Sequence, residues 1–338
     1  MAQRTLPPEF EQMLRSDQSG QLSGLVEALS STEPSVAIRH NGLRRLAPAD
    51  DARKVAWWPR GEHLDSPRRF TFDVAMHQGL YYVQDASSMF AGYAVSRLIK
   101  EIPSLAGRPL TMLDACAAPG GKTACALEAL PEGSVVVANE MSPQRVSVLA
   151  EVMAKHGSPS TIITRDDAAR LGARLPGCFD IAIVDAPCSG EGMMRKEPVA
   201  ISQWSRALVA ECAAAQRSIL EGVWKSLTPG GVLIYSTCTF NLLENERQVE
   251  WLVERFGAEP IDLAPDASWG IAGAIDSAVP ACRFIPGRIE GEGLFMAAVR
   301  KPGELIESEE AAPSRGRRRD RRSDGRQQGD AAAAKAAG

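Results

Sequence analysis

The 338-residue chain lacks any apolar run long enough to cross a bilayer, and its first residues, MAQRTLPPEFEQML, lack the apolar centre of a signal peptide. Its seven cysteines include no C-x-x-C pair, so the spacing predicts neither a zinc site nor a disulfide framework. We therefore expect a cytoplasmic protein with reduced thiols, no bound metal and no membrane partner.

Two glycine patterns typical of nucleotide sites are also missing from the glycine-rich segment LDACAAPGGKT, residues 113–123. A phosphate-cradling loop would need a glycine where Cys116 stands, and G-x-G-x-x-G is absent. What is left is a turn of small residues, which lets backbone approach a ligand. Glu140 lies twenty residues after Gly120, a spacing at which a carboxylate can accept ribose hydroxyls, and Asp167 follows a later strand. This pattern favours S-adenosylmethionine as ligand, with another nucleotide as the alternative.

The chain has little excess charge, with a net value of −4, but its basic residues are clustered. Residues 35–70 carry eight Lys or Arg against four acids and include the pair Trp57 and Trp58. Residues 315–326 carry seven Arg against two Asp. Phosphates attract Arg and bases stack on aromatic rings, so both segments are candidate RNA contacts. For the first segment, a solvated face with two core tryptophans is an equal alternative.

The chain divides by composition into residues 1–70, 71–300 and 301–338, the last too poor in large apolar residues to build a core and expected to be disordered. We expect strands at Leu110–Asp114, Ser134–Asn139, Thr161–Thr164, Asp180–Asp185, Val232–Ser236 and Gly293–Val299. We expect helices near Pro8–Leu14 and Gly20–Leu29 and at Gly121–Leu130, Pro143–Lys155, Ser205–Leu227 and Leu243–Phe256. Apolar strands alternating with helices predict an α/β fold, a parallel sheet covered on both faces. Such sheets bind ligands beyond the carboxyl ends of their strands.

Two apolar runs each deliver a cysteine to that edge, Cys188 in FDIAIVDAPCSGEG and Cys238 in GGVLIYSTCTF. A thiolate that adds to carbon 6 of cytosine turns carbon 5 into a nucleophile, and a second thiolate can then remove the carbon-5 proton. Asp185, three residues before Cys188, is suited to steady the charge that develops on the ring. The alternative is that both thiols are ordinary buried residues. For four of the other five cysteines, Cys125, Cys178, Cys212 and Cys282, we predict the role of a small buried hydrophobic residue.

The motifs DACAAPGGKT, ANEMSP, DAPCSGEG and YSTCTF…ENE occur in this order, flanked by GLYYVQDASSMFAG and PGRIEGEGLFMAAVRK. This set resembles the RsmB/RsmF (Nop/Sun) family of RNA cytosine-5 methyltransferases over about residues 70–300. Within the family, CSGEGMMRKEP looks closer to the RsmF type, which acts on small-subunit ribosomal RNA. The resemblance implies a Rossmann-like class I methyltransferase fold, with a seven-stranded mostly parallel sheet and a small N-terminal α/β RNA-binding region at residues 1–70.

The resemblance also implies roles for single residues. Cys238 corresponds to the nucleophile and Cys188 to the cysteine that assists product release, while Lys122 and Asp185 are expected near the target base. The expected S-adenosylmethionine contacts are Cys116, Ala117, Ala118, Pro119, Gly120, Gly121, Lys122, Glu140, Asp167 and Asp185. Independently of the resemblance, the position of Arg195 and Lys196 beside Cys188 favours a contact with the RNA backbone, with a solvated loop as the alternative.

Three other functions compete with this interpretation: a tRNA cytosine-5 methyltransferase, a DNA cytosine-5 methyltransferase, in which Cys188 would be the nucleophile, and an idle S-adenosylmethionine-binding ribosome assembly factor. The STCTF motif argues against the DNA enzyme, and the intact set of Cys188, Cys238, Asp185 and Lys122 argues against the idle factor. We expect a monomer that binds RNA and not DNA.

Overall fold

A computed structural model describes residues 4–44, 48–49, 51–65 and 69–303 of the chain. The Arg-rich segment 315–326 and all but the first three residues of the expected disordered region 301–338 lie outside these ranges. No helix of the described ranges is long and apolar enough to pass through a bilayer.

Eleven strands and ten α-helices are formed by the described residues. The strands are β1 (Ala37–His40), β2 (Gly61–His63), β3 (Tyr81–Val83), β4 (Thr111–Asp114), β5 (Val135–Asn139), β6 (Thr161–Thr164), β7 (Phe179–Asp185), β8 (Leu227–Thr237), β9 (Glu259–Ile261), β10 (Cys282–Phe284) and β11 (Leu294–Arg300). The helices are α1 (Pro8–Arg15), α2 (Leu25–Ser31), α3 (Val74–His77), α4 (Phe90–Glu101), α5 (Gly121–Ala129), α6 (Pro143–His156), α7 (Ala168–Arg174), α8 (Pro198–Gln203), α9 (Arg206–Ser226) and α10 (Glu246–Phe256). All six predicted strands are present. The elements that were not predicted are helices α3, α4, α7 and α8 and the short strands β1, β2, β3, β9 and β10.

The large sheet has the strand order β10-β11-β8-β7-β4-β5-β6, with β9 also paired to β11. Strands β4 to β8 run parallel, and β9, β10 and β11 are antiparallel additions at one end. From β4 the chain builds β5 and β6 on one side, and then β7 and β8 on the other. The strand order therefore reverses at β4, and ligands bind doubly wound sheets at such a reversal.

The predicted fold class is confirmed, but the sheet has eight strands rather than the expected seven. Strand β10 pairs with residues 294–296 at the start of β11, and β9 pairs with residues 298–300 at its end. The two strands thus share one edge of β11. Each of these strands has only three residues, and a strand this short shows no hydrophobic periodicity from which it could be predicted.

Alternate residues of the central strands face two different helical layers. Met112 of β4 belongs to the apolar cluster that contains Val95 of α4 and Ala126 of α5. Its neighbour Leu113 belongs to the cluster that contains Leu220 of α9 and Leu252 of α10. The sheet is thus buried on both faces, which leaves its strand ends as the place where a ligand can enter.

The N-terminal part of the chain forms two separate structures. Strands β1, β2 and β3 make a small antiparallel sheet, which takes β3 from beyond residue 70. Helices α1 and α2 instead pack on the segments that follow β7 and β8, where the rings of Phe10 and Trp204 meet edge to face with centroids 5.3 Å apart. The boundaries of the N-terminal region, and its binding of RNA, stay predictions.

The tryptophans of the basic segment 35–70 belong to the core, which confirms the alternative of two core tryptophans and contradicts their stacking on RNA bases. Trp57 and Trp58 are each 6% exposed, and Trp57 Nε1 donates to the Ala86 carbonyl over 2.7 Å. Arg39 from the same segment is also buried, where it pairs with Glu128 of α5. These residues join the small sheet to the large domain instead of facing solvent.

The prediction for the four other cysteines is half right. Cys125 and Cys282 are buried in the apolar core, as expected. Cys178 is exposed and Cys212 is partly exposed, which contradicts the prediction. The reason is their placement, because Cys178 lies in the loop before β7 and Cys212 lies in the N-terminal half of the long helix α9.

Candidate active site

The turn between β4 and α5 contains most of the residues expected to hold the cofactor. Its two glycines are required for different reasons. Gly120 has φ 112°, a backbone conformation that favours glycine. A Cβ on Gly121 would lie 3.1 Å from the Gln84 side chain. The turn borders a cavity of about 160 Å³. The expected residues that line this cavity are Cys116, Ala117, Ala118, Pro119, Gly121, Lys122 and Asp185.

Glu140 and Asp167 lie outside that cavity, after the carboxyl ends of β5 and β6. Glu140 is nearly buried, where it accepts the Ser142 N–H over 2.9 Å and faces Arg145 at 3.3 Å. Asp167 caps α7 by accepting the Arg170 N–H over 2.8 Å. Its carboxylate therefore already has a structural task, which the sequence did not reveal.

Asn139 ties these strand ends to the turn after β4. Its side-chain amide donates to the Ala115 carbonyl over 3.1 Å and to the Asp166 carbonyl over 3.0 Å. Its side-chain oxygen accepts the Asp166 N–H over 3.0 Å. The loops that follow β4, β5 and β6 are thereby held in one arrangement along the sheet edge.

Asp114, the last residue of β4, was missed by the sequence interpretation although it also lines the cavity. It is buried and accepts the Thr123 hydroxyl over 2.6 Å. Burial raises its pKa to about 7, against the lowering effect of that hydrogen bond. The only signal in the sequence was its position at a strand end, directly before the small-residue turn.

Lys122 and Asp185 form an ion pair at this edge. Lys122 Nζ lies 2.8 Å from Asp185 Oδ2, and the Ser236 hydroxyl donates to Asp185 Oδ1 over 2.7 Å. Asp185 and Ser236 are partners in the register of β7 and β8, which explains why their side chains meet. The ion pair thus connects α5, which follows the small-residue turn, to the end of β7, which precedes Cys188.

The two cysteines of the separate segments meet. The Sγ atoms of Cys188 and Cys238 are 3.2 Å apart, close enough for a thiol of one to donate to the sulphur of the other. The hydrogen bond to Cys238 and burial together hold the pKa of Cys188 well above its usual value. Cys188 therefore keeps its proton in the free protein.

Arg195 does not face solvent, so its expected contact with the RNA backbone is wrong. It is buried, and its guanidinium binds Glu292 over 2.8 Å and the Gly291 carbonyl over 2.7 Å. Lys196 is about one-third exposed and lies 3.5 Å from the same carboxylate. A contact of Lys196 with RNA stays a prediction.

The reversal of strand order at β4, the small-residue turn and the antiparallel β11 beside β8 define a class I methyltransferase fold. Residues 108–300, more than half of the chain, match the family described as 16S rRNA methyltransferase RsmB/F, and the chain belongs to this family. The resemblance seen in the motifs is thereby confirmed.

Similar proteins support this membership. The ribosomal RNA small subunit methyltransferase F of Pectobacterium atrosepticum is 38% identical over 227 residues, which cover 67% of this chain and 46% of that protein. The chain spans about half the length of the curated relatives it matches.

Two crystal structures from Pyrococcus horikoshii share the fold. A methyltransferase homolog protein has a TM-score of 0.71 and 24% identity, covering 87% of this chain and 94% of its own. NSun6 with SFG has a TM-score of 0.73 and 18% identity, covering 88% of this chain and 99% of its own.

Proposed function

We propose that the chain transfers a methyl group from S-adenosylmethionine to carbon 5 of a cytosine in small-subunit ribosomal RNA, through a covalent bond between Cys238 and the base. The observation that carries this proposal is the 3.2 Å contact between Cys188 and Cys238 at the ligand-binding edge of the sheet. The choice of RNA follows the description of the family and the names of the relatives.

The residues of the turn after β4 fit the cofactor. A Cβ on Gly121 would crowd Gln84, so the glycine keeps the cradle open, and the first N–H groups of α5 have no partner within their own helix. We assign the ribose hydroxyls to Glu140, whose carboxylate follows the carboxyl end of β5. S-adenosylmethionine supplies the electrophilic methyl group, and the residues of the turn hold and orient it.

The two thiols have successive tasks. The Cys238 thiolate adds to carbon 6 of cytosine, and the electron pair moves to carbon 5, which becomes the nucleophile. Lys122 and Asp185 stabilise the charge that develops on the ring. After methyl transfer, Cys188 gives its own proton to water, and its thiolate takes the carbon-5 proton. The electron pair of the carbon 5–hydrogen bond forms the carbon 5–carbon 6 double bond, and the electron pair of the carbon 6–sulphur bond returns to Cys238.

The raised pKa of Cys188 agrees with this order. Its main cause is the hydrogen bond to Cys238, and the charge of Cys238 adds to it. Once Cys238 is bound to carbon 6 as a thioether, both effects are lost. The pKa of Cys188 should therefore fall at the stage where a base is needed.

The test compares the two cysteines. Cys188→Ala should still attack and methylate but release slowly, so an enzyme–RNA complex should survive a denaturing gel and disappear with ribonuclease. Cys238→Ala and the double variant should give neither complex nor methylation. A complex from Cys238→Ala and none from Cys188→Ala would reverse the roles, and activity retained without either thiol would reject covalent catalysis.

The RNA is tested separately. Bisulfite sequencing of total RNA from a strain that lacks the protein should show the loss of 5-methylcytosine in small-subunit ribosomal RNA. Loss of the modification from tRNA instead would favour the tRNA alternative, and no loss in any RNA would favour the idle assembly factor.

A further inference from the structure

The segments that carry the two thiols are irregular, although the proposed chemistry requires both sulphurs to reach neighbouring carbons of one cytosine ring. We name residues 186–192 the first cysteine loop and residues 238–245 the second cysteine loop. Each loop follows a strand, β7 or β8, so regular strand pairing ends before the thiol is reached. Between the two loops the backbone supplies a hydrogen bond from the Gly192 N–H to the Cys238 carbonyl over 2.7 Å. The rest of the connection is made by side chains.

Each loop contains a fully buried carboxylate that binds the other loop. Glu191 of the first cysteine loop accepts the N–H groups of Phe240 and Asn241 over 2.6 Å and 3.0 Å. Glu244 of the second cysteine loop accepts the N–H and the hydroxyl of Ser189 over 3.0 Å and 2.5 Å. Most hydrogen bonds between the two loops thus end on one of these two carboxylates.

Further donors connect the carboxylates to each other and to helices. The Asn241 side-chain amide donates to Glu191 over 2.9 Å and to Glu244 over 2.8 Å. Gln216 of α9 donates to Glu244 and to the Pro187 carbonyl, both over 2.9 Å. The two loops are therefore fastened to each other and to the long helix behind them.

We infer that Glu191 and Glu244 are positioning residues, which hold the Cys188 and Cys238 sulphurs in contact by binding each loop to the other. A carboxylate is suited to this task because it only accepts, and here several donors converge on each one. A glutamine at either place would keep the shape but turn an N–H₂ group against those donors. The inference rests on the proposed function only where turnover is concerned.

The distance between the sulphurs can be tested without RNA. Phenylarsine oxide reacts with two adjacent thiols to form two As–S bonds and water, and arsenic stays trivalent. It should bind the native protein through Cys188 and Cys238, and either Cys→Ala change should abolish this binding. Glu244→Gln should weaken the binding roughly 10-fold or more, since the second As–S bond depends on where the second thiol is held.

Turnover gives a second readout. Glu244→Gln should lower kcat roughly 10- to 100-fold, because small misplacements of reacting groups are costly. The KM for S-adenosylmethionine should not change, since the turn proposed to hold the cofactor lies between β4 and α5 and not in either cysteine loop. Ser189→Ala removes one donor to Glu244 and keeps the charge of the carboxylate. It should therefore weaken phenylarsine oxide binding and lower kcat, each by less than Glu244→Gln does.

Glu128→Gln is the matched control. Glu128 is also a carboxylate with a buried side chain, but it lies on α5, outside both cysteine loops, and its partner is Arg39. This change should leave phenylarsine oxide binding as in the native protein.

The inference would be overturned if both Glu244→Gln and Ser189→Ala bound phenylarsine oxide with native affinity and kept the native kcat. If Glu244→Gln does not fold, the result for Ser189→Ala decides. A native protein that methylates no RNA would reject the proposed function, while the arsenical measurement would still decide this inference.

Discussion

Lys122 Nζ lies 2.8 Å from Asp185 Oδ2, and this ion pair controls the charge at the centre of the candidate site. Burial alone would lower the pKa of Lys122, but the neighbouring Asp185 carboxylate more than offsets this, and the pKa is raised. Lys122 therefore stays a cation throughout the physiological range. Under the proposed function, a ring that becomes negative during attack would meet this cation, and Asp185 would hydrogen-bond the ring amine.

Asp185→Asn should lower kcat for RNA methylation by about 100-fold, because it removes a group that stabilises the reacting ring. The measurement is methyl transfer at saturating cofactor and RNA. Ser236→Ala is the control, since it removes the second partner of Asp185 and leaves the ion pair in place; it should cost less than Asp185→Asn. Equal losses in both variants would indicate that orientation of Asp185, and not its charge, matters.

Glu140→Ala should weaken S-adenosylmethionine binding by about 1–3 kcal/mol, the usual effect of removing a buried hydrogen-bonding acid. Calorimetry on the RNA-free protein measures this directly. Glu151→Ala, which removes an exposed carboxylate of α6 that pairs with Lys155, should leave the affinity unchanged. Native affinity in Glu140→Ala would remove Glu140 from the cofactor site.

Asp167 needs a different design because it also caps α7. Asp167→Ser keeps a capping oxygen, whereas Asp167→Ala removes it and should cost about 1 kcal/mol of stability. If the carboxylate contacts the cofactor, both variants should bind S-adenosylmethionine more weakly, and only Asp167→Ala should be less stable. Native cofactor affinity in Asp167→Ser would leave Asp167 with its capping role alone.

The sequence was sufficient for features that depend on local pattern. The strand that ends at Asp185 and the turn that begins after Asp114 were predictable, because apolar runs and small-residue turns are visible in one dimension. The meeting of Cys188 and Cys238 followed from a general property of parallel sheets, whose carboxyl ends share one edge. Pattern and topology thus sufficed to place the two thiols.

Features that depend on partners far away in the chain were not predictable. Trp57 and Arg195 looked like RNA contacts because tryptophan and arginine are common at such contacts, yet their partners Ala86 and Glu292 bury them. Glu244 gave no sign of its contact with Ser189, because 55 residues separate them. One sequence alone does not indicate which residues far apart in the chain are in contact.

Asp114 leads to a prediction about pH. Burial raises its pKa from 3.8 to about 7, so between these values it is protonated in the folded protein and ionised in the unfolded chain. Folding takes up a proton in this window, and the free energy of unfolding should therefore decrease as the pH rises from about 4 to about 7.

Asp114→Asn should remove this contribution, because the amide does not titrate and its oxygen can still accept the Thr123 hydroxyl. Denaturant unfolding at pH 5, 6, 7 and 8 measures the difference in stability between the native protein and the variant. Relative to the native protein, the variant should become more stable as the pH rises, with most of the change complete by about pH 8. A difference that is constant across this range would show that Asp114 titrates alike in the folded and unfolded states.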